Sequence, residues 1–397
     1  MRSVLCIILV MLMLSGCAII HAPQTTTPST VPISDLPTIP TTAPTTEPAT
    51  MPVTEPTEEP TEPPNPLQLL LDSMSVEEKV GQIFLARAPK TDDVADISTY
   101  HLAGYMLFDR NFKSYTPDEV RTIHESYQNA AKIPLLLAVD EEGDVITRVS
   151  YYKQFREEPF PYPRQLFEAG GMEAILATEK EKIDLLSSLG LNVVLGPVCD
   201  VTTDPEAFMY DRSLGQDPKV TGQYITSMVR LMAQNRFGSV LKHFPGYGNN
   251  ADTHIGIARD DRSLEELEAV DLVPFRSGIA AGAQAIMISH TFINSLDPEL
   301  PASLSPKVIG YLRNEMGFSG VVITDDLIMK AITDQYGNEE AAILAVLAGN
   351  DLLCSSEYRI QYAAVLEAVN SGRIPMEILD AAVLRVLQWK HHLGLLG

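Results

Sequence analysis

Cysteine is scarce: the 397-residue chain has four, Cys6, Cys17, Cys199 and Cys354, and no two lie at ligand spacing. That excludes a disulfide framework and a paired-cysteine zinc site. Basic side chains are also few, 29 against 52 acidic ones, for a formal charge of −23. Such a chain lacks the basic surface that holds nucleic-acid phosphates, so DNA and RNA are not expected partners. There is no His-x-x-x-His pair, no Gly-x-Ser-x-Gly elbow and no glycine-rich dinucleotide loop, which counts against metal hydrolysis, serine acyl transfer and a nucleotide cofactor. No metal or cofactor is expected. What the chain has in quantity is apolar residues, 45% of the total, enough to bury a sizeable core.

The chain opens on Met1-Arg2 and an apolar run from Val4 to Leu14, too short to span a bilayer, followed by Ser15-Gly16-Cys17. This is the layout of an export signal, and Leu14-Ser15-Gly16-Cys17 resembles the lipobox of bacterial lipoproteins. That resemblance implies cleavage after residue 16, lipid on Cys17 and an exported protein anchored to the outer face of the cytoplasmic membrane. From His21 to Pro66 proline and threonine dominate, and such a segment cannot offset its ordering entropy. The expected organisation is a signal peptide over residues 1–16, a lipidated and disordered tether over 17–66, and one folded domain over 67–397. Cys199 and Cys354 sit in apolar runs and read as small core residues.

Inside the folded part, eight short apolar runs recur with room for a helix between them, the pattern of repeated βα units. They are Ile83 to Leu85, Gly104 to Phe108, Leu135 to Val139, Asn192 to Leu195, Ser239 to Leu241, Ala285 to Ser289, Val321 to Thr324 and Asp351 to Cys354. Two intervening helices open with capping boxes, Ser75-x-x-Glu78 and Ser263-x-x-Glu266, and Met172 to Leu189 and Asn338 to Leu347 carry helix-period apolar residues. The expected fold is an α/β (β/α)₈ TIM-type barrel, with a doubly wound open sheet as the alternative.

In such a barrel the residues directly after the strands share one rim, where the chemistry sits. Here those residues are polar strand after strand. Asp140-Glu141-Glu142-Gly143 and Arg148 follow the third, and Asp200 and Asp211-Arg212 the fourth. Lys242-His243 and a loop to Asp252-Thr253-His254 follow the fifth, His290 the sixth, and Asp325-Asp326 the seventh. Carboxylates and histidines without a metal set favour sugar chemistry: one carboxylate can attack an anomeric carbon while a second titratable group protonates the leaving oxygen.

Lys242-His243-Phe244-Pro245-Gly246-Tyr247-Gly248 with Asp252-Thr253-His254, Asp140-x-Glu142-Gly143, and Thr324-Asp325-Asp326-Leu327-x-Met329 closely resemble glycoside hydrolase family 3, and within it the single-domain β-N-acetylglucosaminidase branch. The resemblance covers about residues 68–396. It implies a retaining double displacement in which Asp325 is the nucleophile, His254 the acid/base and Asp252 the residue that orients His254. It also implies that Asp140, Arg148, Arg212, Lys242 and His243 hydrogen-bond the sugar. Asp326 reads instead as a carboxylate that caps the next helix, and His290 receives no role. The chain departs from the family pattern at Asp144, where a second glycine is common, at Val145, where an arginine is common, and at Tyr247, where a histidine is common.

The implied activity is exo-acting removal of nonreducing terminal N-acetylglucosamine from cell-wall or chitin-type fragments by a monomeric enzyme whose partner is a carbohydrate and whose membrane contact is its lipid. Alternatives are a β-glucosidase, a phosphorylase of the same family, and a sugar-binding lipoprotein that does not cleave.

Overall fold

The computed structural model describes residues 65–248 and 258–397. Cys17, the signal segment and the tether up to residue 64, and the pair Asp252 and His254, lie outside the described residues.

Each of the eight apolar runs overlaps a strand: β1 (Phe84–Arg87), β2 (Gly104–Leu107), β3 (Leu136–Val139), β4 (Val193–Val194), β5 (Gly238–Phe244), β6 (Ala285–Ile288), β7 (Val321–Thr324) and β8 (Leu353–Ser355). They lie side by side in the order β7-β6-β5-β4-β3-β2-β1-β8, every pairing parallel. The two ends of this series meet through the bridge between Ile323 and Leu352. Across that seam the Thr324 amide donates to the Leu352 carbonyl at 3.1 Å, and the Cys354 amide donates to Thr324 Oγ1 at 3.1 Å. The result is the expected (β/α)₈ barrel, not an open sheet.

The strand sequences follow from being buried on both faces, which favours continuous Val, Ile and Leu over polar alternation. Side chains still alternate in direction. Leu85, Met106, Ala138, Val240, Ile323 and Cys354 belong to the cluster that fills the barrel, whereas Phe84, Leu107, Val139, Leu241, Val322 and Leu353 pack outward into the layer beneath the helices. Each such buried Leu, Ile or Val contributes roughly 1.5–3 kcal/mol. The C-terminal helix Met376–His392 supplies the floor: its Val386 and Trp389 join the interior cluster. Beside them Lys390 is fully buried, and its Nζ donates to Gln82 Oε1 at 2.8 Å.

Both capping boxes form, Ser75 with Glu78 and Ser263 with Glu266. The two periodic stretches lie in Pro163–Ser188, kinked at Gly170 and Gly171, and in Lys330–Ala348, kinked at Gly337. The first helix starts at Pro66 on an Asn65 cap, one residue before the expected boundary of the folded part. Cys199 and Cys354 are buried free thiols, as their apolar surroundings predict.

Candidate active site

The two-residue period that fills the barrel also builds its rim. Counting two residues past an inward apolar side chain gives Arg87 after Leu85, Phe108 after Met106, Asp140 after Ala138, Lys242 after Val240 and Asp325 after Ile323. Phe108 apart, the top tier of the barrel filling is thus charged where the tiers below are apolar. The Cys354 thiol, in the apolar filling, registers this convergence. Burial pushes its pKa well up, and the carboxylates of Asp326, Asp325 and Asp140 push it further, opposed by Lys242.

At the β3–β5 side of the rim, charges of both signs are packed together and largely buried. Lys242 Nζ, on a side chain 3% exposed, donates to Asp140 Oδ1 at 2.7 Å and pairs with Glu142 Oε1 at 2.6 Å. Arg212 grips the same Glu142 with two parallel bonds, Nε to Oε2 and Nη2 to Oε1, both at 2.7 Å. Burial alone would raise the Glu142 pKa, but Arg212 and then Lys242 outweigh it and hold the carboxyl well below the usual range. Burial likewise works against a charged Lys242, and Asp140 and Glu142 outweigh it, so the ammonium stays protonated. These are charge-assisted bonds in a dry setting, the kind that fix geometry.

His243 extends the cluster. Its backbone amide and Nδ1 both meet Asp200 Oδ2, at 3.1 and 2.9 Å, and its Nε2 lies 3.3 Å from Arg212 Nη2. The hydrogen bonds assign the proton to Nδ1, leaving Nε2 to accept from Arg212. Asp200 Oδ1 takes the Tyr247 amide at 2.8 Å, and the Tyr247 ring packs edge-on to the imidazole with centroids 5.1 Å apart. The buried tyrosine at the departing position therefore walls one side of His243. The turn before it needs Gly246, whose φ is 127° and where a Cβ would lie 2.5 Å from Asp271 Oδ1.

Asp140, Arg212, Lys242 and His243 are thus brought together as expected, and Arg148 is not among them. It sits apart, 3.8 Å from Asp109 and over the Phe108 ring at 5.8 Å. Its loop is held by Glu141, a fully buried carboxylate that accepts the amides of Arg148, Val149 and Ser150 at 2.9, 2.9 and 3.0 Å. Asp144, at another departing position, is exposed and occupies the left-handed region at φ 44°.

On the β7 side, Asp325 Oδ1 accepts the Asp326 amide at 2.8 Å, and the Asp325 amide donates to the Ile288 carbonyl at 3.0 Å. Asp326 is not a helix cap, which corrects the sequence reading: the following helix begins after Met329, and the Asp326 carboxylate instead accepts the Ile328 amide, the Ser356 amide and the Ser356 hydroxyl. It ties the β7 loop to the β8 loop. His290 braces the same turn, with Nε2 3.1 Å from the Asp326 carbonyl and Nδ1 2.7 Å from Ser303 Oγ. Sequence reasoning gave no role to Glu142, Asp200, Glu141 or Arg87. The first three were visible as acids placed after strands, and Arg87 as an inward position.

No group of three His, Cys, Asp or Glu side chains among the described residues is arranged to hold a metal ion. The described residues form a socket of donors and acceptors past β3 to β5, with a carboxylate past β7, an arrangement suited to gripping hydroxyl groups and attacking one carbon.

Comparison with known proteins agrees. Residues 75–389 match the Glycosyl hydrolase family 3 N terminal domain. Over 269 residues, 64% of this chain and 77% of the relative, the chain is 37% identical to a beta-hexosaminidase of Stenotrophomonas maltophilia strain K279a. It is 29% identical over 330 residues to beta-hexosaminidase LpqI of Mycobacterium tuberculosis, covering 80% of this chain and 83% of that one. Among solved structures, a glycoside hydrolase family 3 beta-N-acetylglucosaminidase from Paenibacillus sp. str. FPU-7 aligns with a TM-score of 0.75 at 32% identity, over 81% of this chain and 63% of that chain, just under two thirds of its length. M. tuberculosis LpqI aligns with a TM-score of 0.75 at 26% identity, over 82% and 96% of the two chains. With most of its folded part matched in sequence and in fold, the chain belongs to glycosyl hydrolase family 3.

Proposed function

We propose that the protein is an exo-acting, retaining β-N-acetylglucosaminidase, with Asp325 as nucleophile and the pair Asp252 and His254 as acid/base machinery. The observation that carries this reading is the polar top tier: Asp325 is the first inward position past β7, facing a socket of Asp140, Glu142, Lys242, Arg212 and His243 past β3 to β5. The hexosaminidase names of the relatives at 37% and 29% identity support the substrate class.

In the first step an Asp325 oxygen attacks C1 of the terminal sugar while protonated His254 gives its proton to the departing glycosidic oxygen. The C1–oxygen bond breaks as the C1–carboxylate bond forms. In the second step neutral His254 takes a proton from water, the water oxygen attacks C1, and Asp325 leaves as a carboxylate. An imidazole with an ordinary pKa of ~6.5 can serve in both directions near neutrality. Asp252 orients the ring and supports its cationic form. Asp140 accepts from sugar hydroxyls, Lys242, Arg212 and Arg148 donate to them, and His243 completes the hydrogen-bonding set around the ring. The substrates are cell-wall or chitin-type fragments, and the enzyme works as a monomer. Residues 1–16 are removed on export, and Cys17 carries the lipid that anchors the tethered barrel.

Aryl N-acetyl-β-glucosaminides test the chemistry. Asp325→Asn is expected to lose activity on every leaving group. His254→Ala should lose on the order of 10²–10⁴-fold on a poor leaving group, and much less on a good one that needs little protonation. Full activity in Asp325→Asn would refute the mechanism. For the anchor, labelled palmitate should enter the parent and not Cys17→Ala.

A further inference from the structure

Residues 249–257 carry Asp252 and His254, so proton transfer depends on where that segment leaves and re-enters the barrel. It leaves at Gly248, after the turn that sets Tyr247 against His243, and re-enters at Ala258, ahead of the short strand Arg259–Asp260. That strand runs parallel to Phe292–Ile293, and the Phe292 amide donates to the Ala258 carbonyl at 2.9 Å. One side chain ties the two ends together. The Arg262 guanidinium grips Asp260 with a fork, Nε to Oδ1 at 3.0 Å and Nη2 to Oδ2 at 2.6 Å, and its Nη1 donates to Asp271 Oδ2 at 2.6 Å. The same Nη2 lies so close to Gly248 that a Cβ there would collide with it. Gly246, two residues earlier, abuts the Asp271 carboxylate in the same way.

Asp271 is not where fold stability alone would turn it. It stands at the N-cap of the helix Leu272–Ala280, where an aspartate ordinarily accepts one of the first amides, yet its side chain makes no capping bond. The carboxylate is instead fully buried, with Oδ2 on Arg262 and Oδ1 without a hydrogen-bond partner among the described residues. Forgoing a cap and burying an unpaired oxygen both cost stability. What the arrangement secures is a second carboxylate on Arg262: no other cation among the described residues lies within 4.0 Å of Asp260 or Asp271. A guanidinium held by two carboxylates in one plane cannot swing, and it presents a fixed surface to the turn beside it.

We infer that Arg262 is a positioning residue for proton transfer: by bridging Asp260 and Asp271 it fixes the two ends of the segment from which His254 reaches the departing oxygen. This rests on the reading of His254 as the acid/base and adds a residue that acts through the imidazole rather than on the sugar. Loss of the bridge leaves Asp325 and the sugar socket in place, because Lys242, Arg212 and Glu142 form their own bonds. The loss therefore falls on the part of the barrier that protonation lowers.

The test measures kcat/KM for dinitrophenyl and phenyl N-acetyl-β-glucosaminides with the full chain, its Arg262→Gln, Arg262→Lys, Asp271→Asn and His254→Ala variants, and the double variant Arg262→Gln with His254→Ala. Dinitrophenolate leaves with little help from an acid, whereas phenolate needs a proton. Arg262→Gln is expected to lose on the order of 10–10²-fold on the phenyl substrate and less than about threefold on the dinitrophenyl one. An unfolded fraction lowers both rates alike, so their ratio reads position and not stability. Asp271→Asn should shift the ratio in the same direction, and Arg262→Lys, which keeps the charge but not the fork, should restore part of it. In the His254→Ala background Arg262→Gln should move the ratio no further, because its effect passes through the missing imidazole. Should Arg262→Gln not fold, Asp271→Asn is judged by the same ratio. A parental ratio in Arg262→Gln, or a shift of equal size with and without His254, would overturn the inference and leave the hydrolase reading standing. A parental ratio in His254→Ala would overturn the acid/base assignment and the inference with it.

Discussion

Glu142 is the residue on which the sugar socket turns, and Glu142→Gln is the perturbation that exposes this. The carboxylate is 3% exposed, holds Arg212 by two bonds of 2.7 Å, and meets Lys242 at 2.6 Å. Glutamine has nearly the same shape, but it replaces one acceptor oxygen with a donor that must face either a guanidinium or an ammonium. Two buried cations are then left with Asp140 beside Lys242 and the more remote field of Asp200 and Asp140 on Arg212. Breaking a buried pair in this way costs about 3–5 kcal/mol, which in a domain of this size lowers the melting temperature on the order of 10 °C. Activity should fall through KM as well as kcat, because Lys242 and Arg212 lose the group that orients them. The pH dependence has a definite sign. The folded pKa of Glu142 lies below its unfolded value, so its contribution is complete above ~4.5 and is lost as pH falls toward the folded value. Thermal unfolding between pH 3 and 7 should show the parent losing part of its advantage over the variant at the acid end. A variant that melts within about 2 °C of the parent at neutral pH, a difference on the order of 1 kcal/mol, with KM unchanged, would refute the reasoning.

Two further predictions concern the barrel away from the chemistry. Burial pushes Lys390 down to about 7, against about 10.4 for an exposed lysine, so the folded state holds fewer protons than the unfolded one between those values and stability rises with pH across that window. Lys390→Met should flatten this rise and stabilise the protein by several kcal/mol at pH 6, with a ceiling of about 5 from the shift, and by little at pH 10; chemical denaturation at both pH values checks it. In the β3 turn, Gly143 has φ 147° and a Cβ there would lie 2.6 Å from the Pro161 carbonyl oxygen, so Gly143→Ala should cost more than about 1 kcal/mol. Asp144→Gly, at a left-handed position that glycine accepts without strain, should change stability by less than about 1 kcal/mol in urea unfolding.

How far the sequence spoke depended on the reach of each interaction. The strands were legible because burial on both faces leaves an uninterrupted apolar run, and even the two-residue β4 lies within the run Asn192 to Leu195. Capping boxes were legible because they close over three residues. Asp140, Lys242 and Asp325 were legible through their motifs, and the inward period explains why the motifs sit where they do. Glu142 and Asp200 were passed over because their partners are remote in the chain: Arg212 is 70 residues from Glu142, and His243 is 43 from Asp200. Asp326 was misread for a related reason. A carboxylate just before a helix ordinarily caps it, and only the neighbouring strand end, 30 residues on, reveals Ser356 as its partner. Arg148 was legible through its motif position, while its contacts with Asp109 and Phe108 were not, because a motif fixes a place in the chain and not the direction of a long side chain.

The closing seam has a consequence for how the chain reaches its native state. Phe84 of the first strand pairs with Leu353 of the last, and Gln82 meets Lys390 across 308 residues. Neither the ring nor its floor can exist on a nascent polypeptide until almost the entire sequence has been synthesised. Truncation shortly before Val386 would leave a tube without a base, so closing the ring and seating its floor are late steps that await the C-terminal helix.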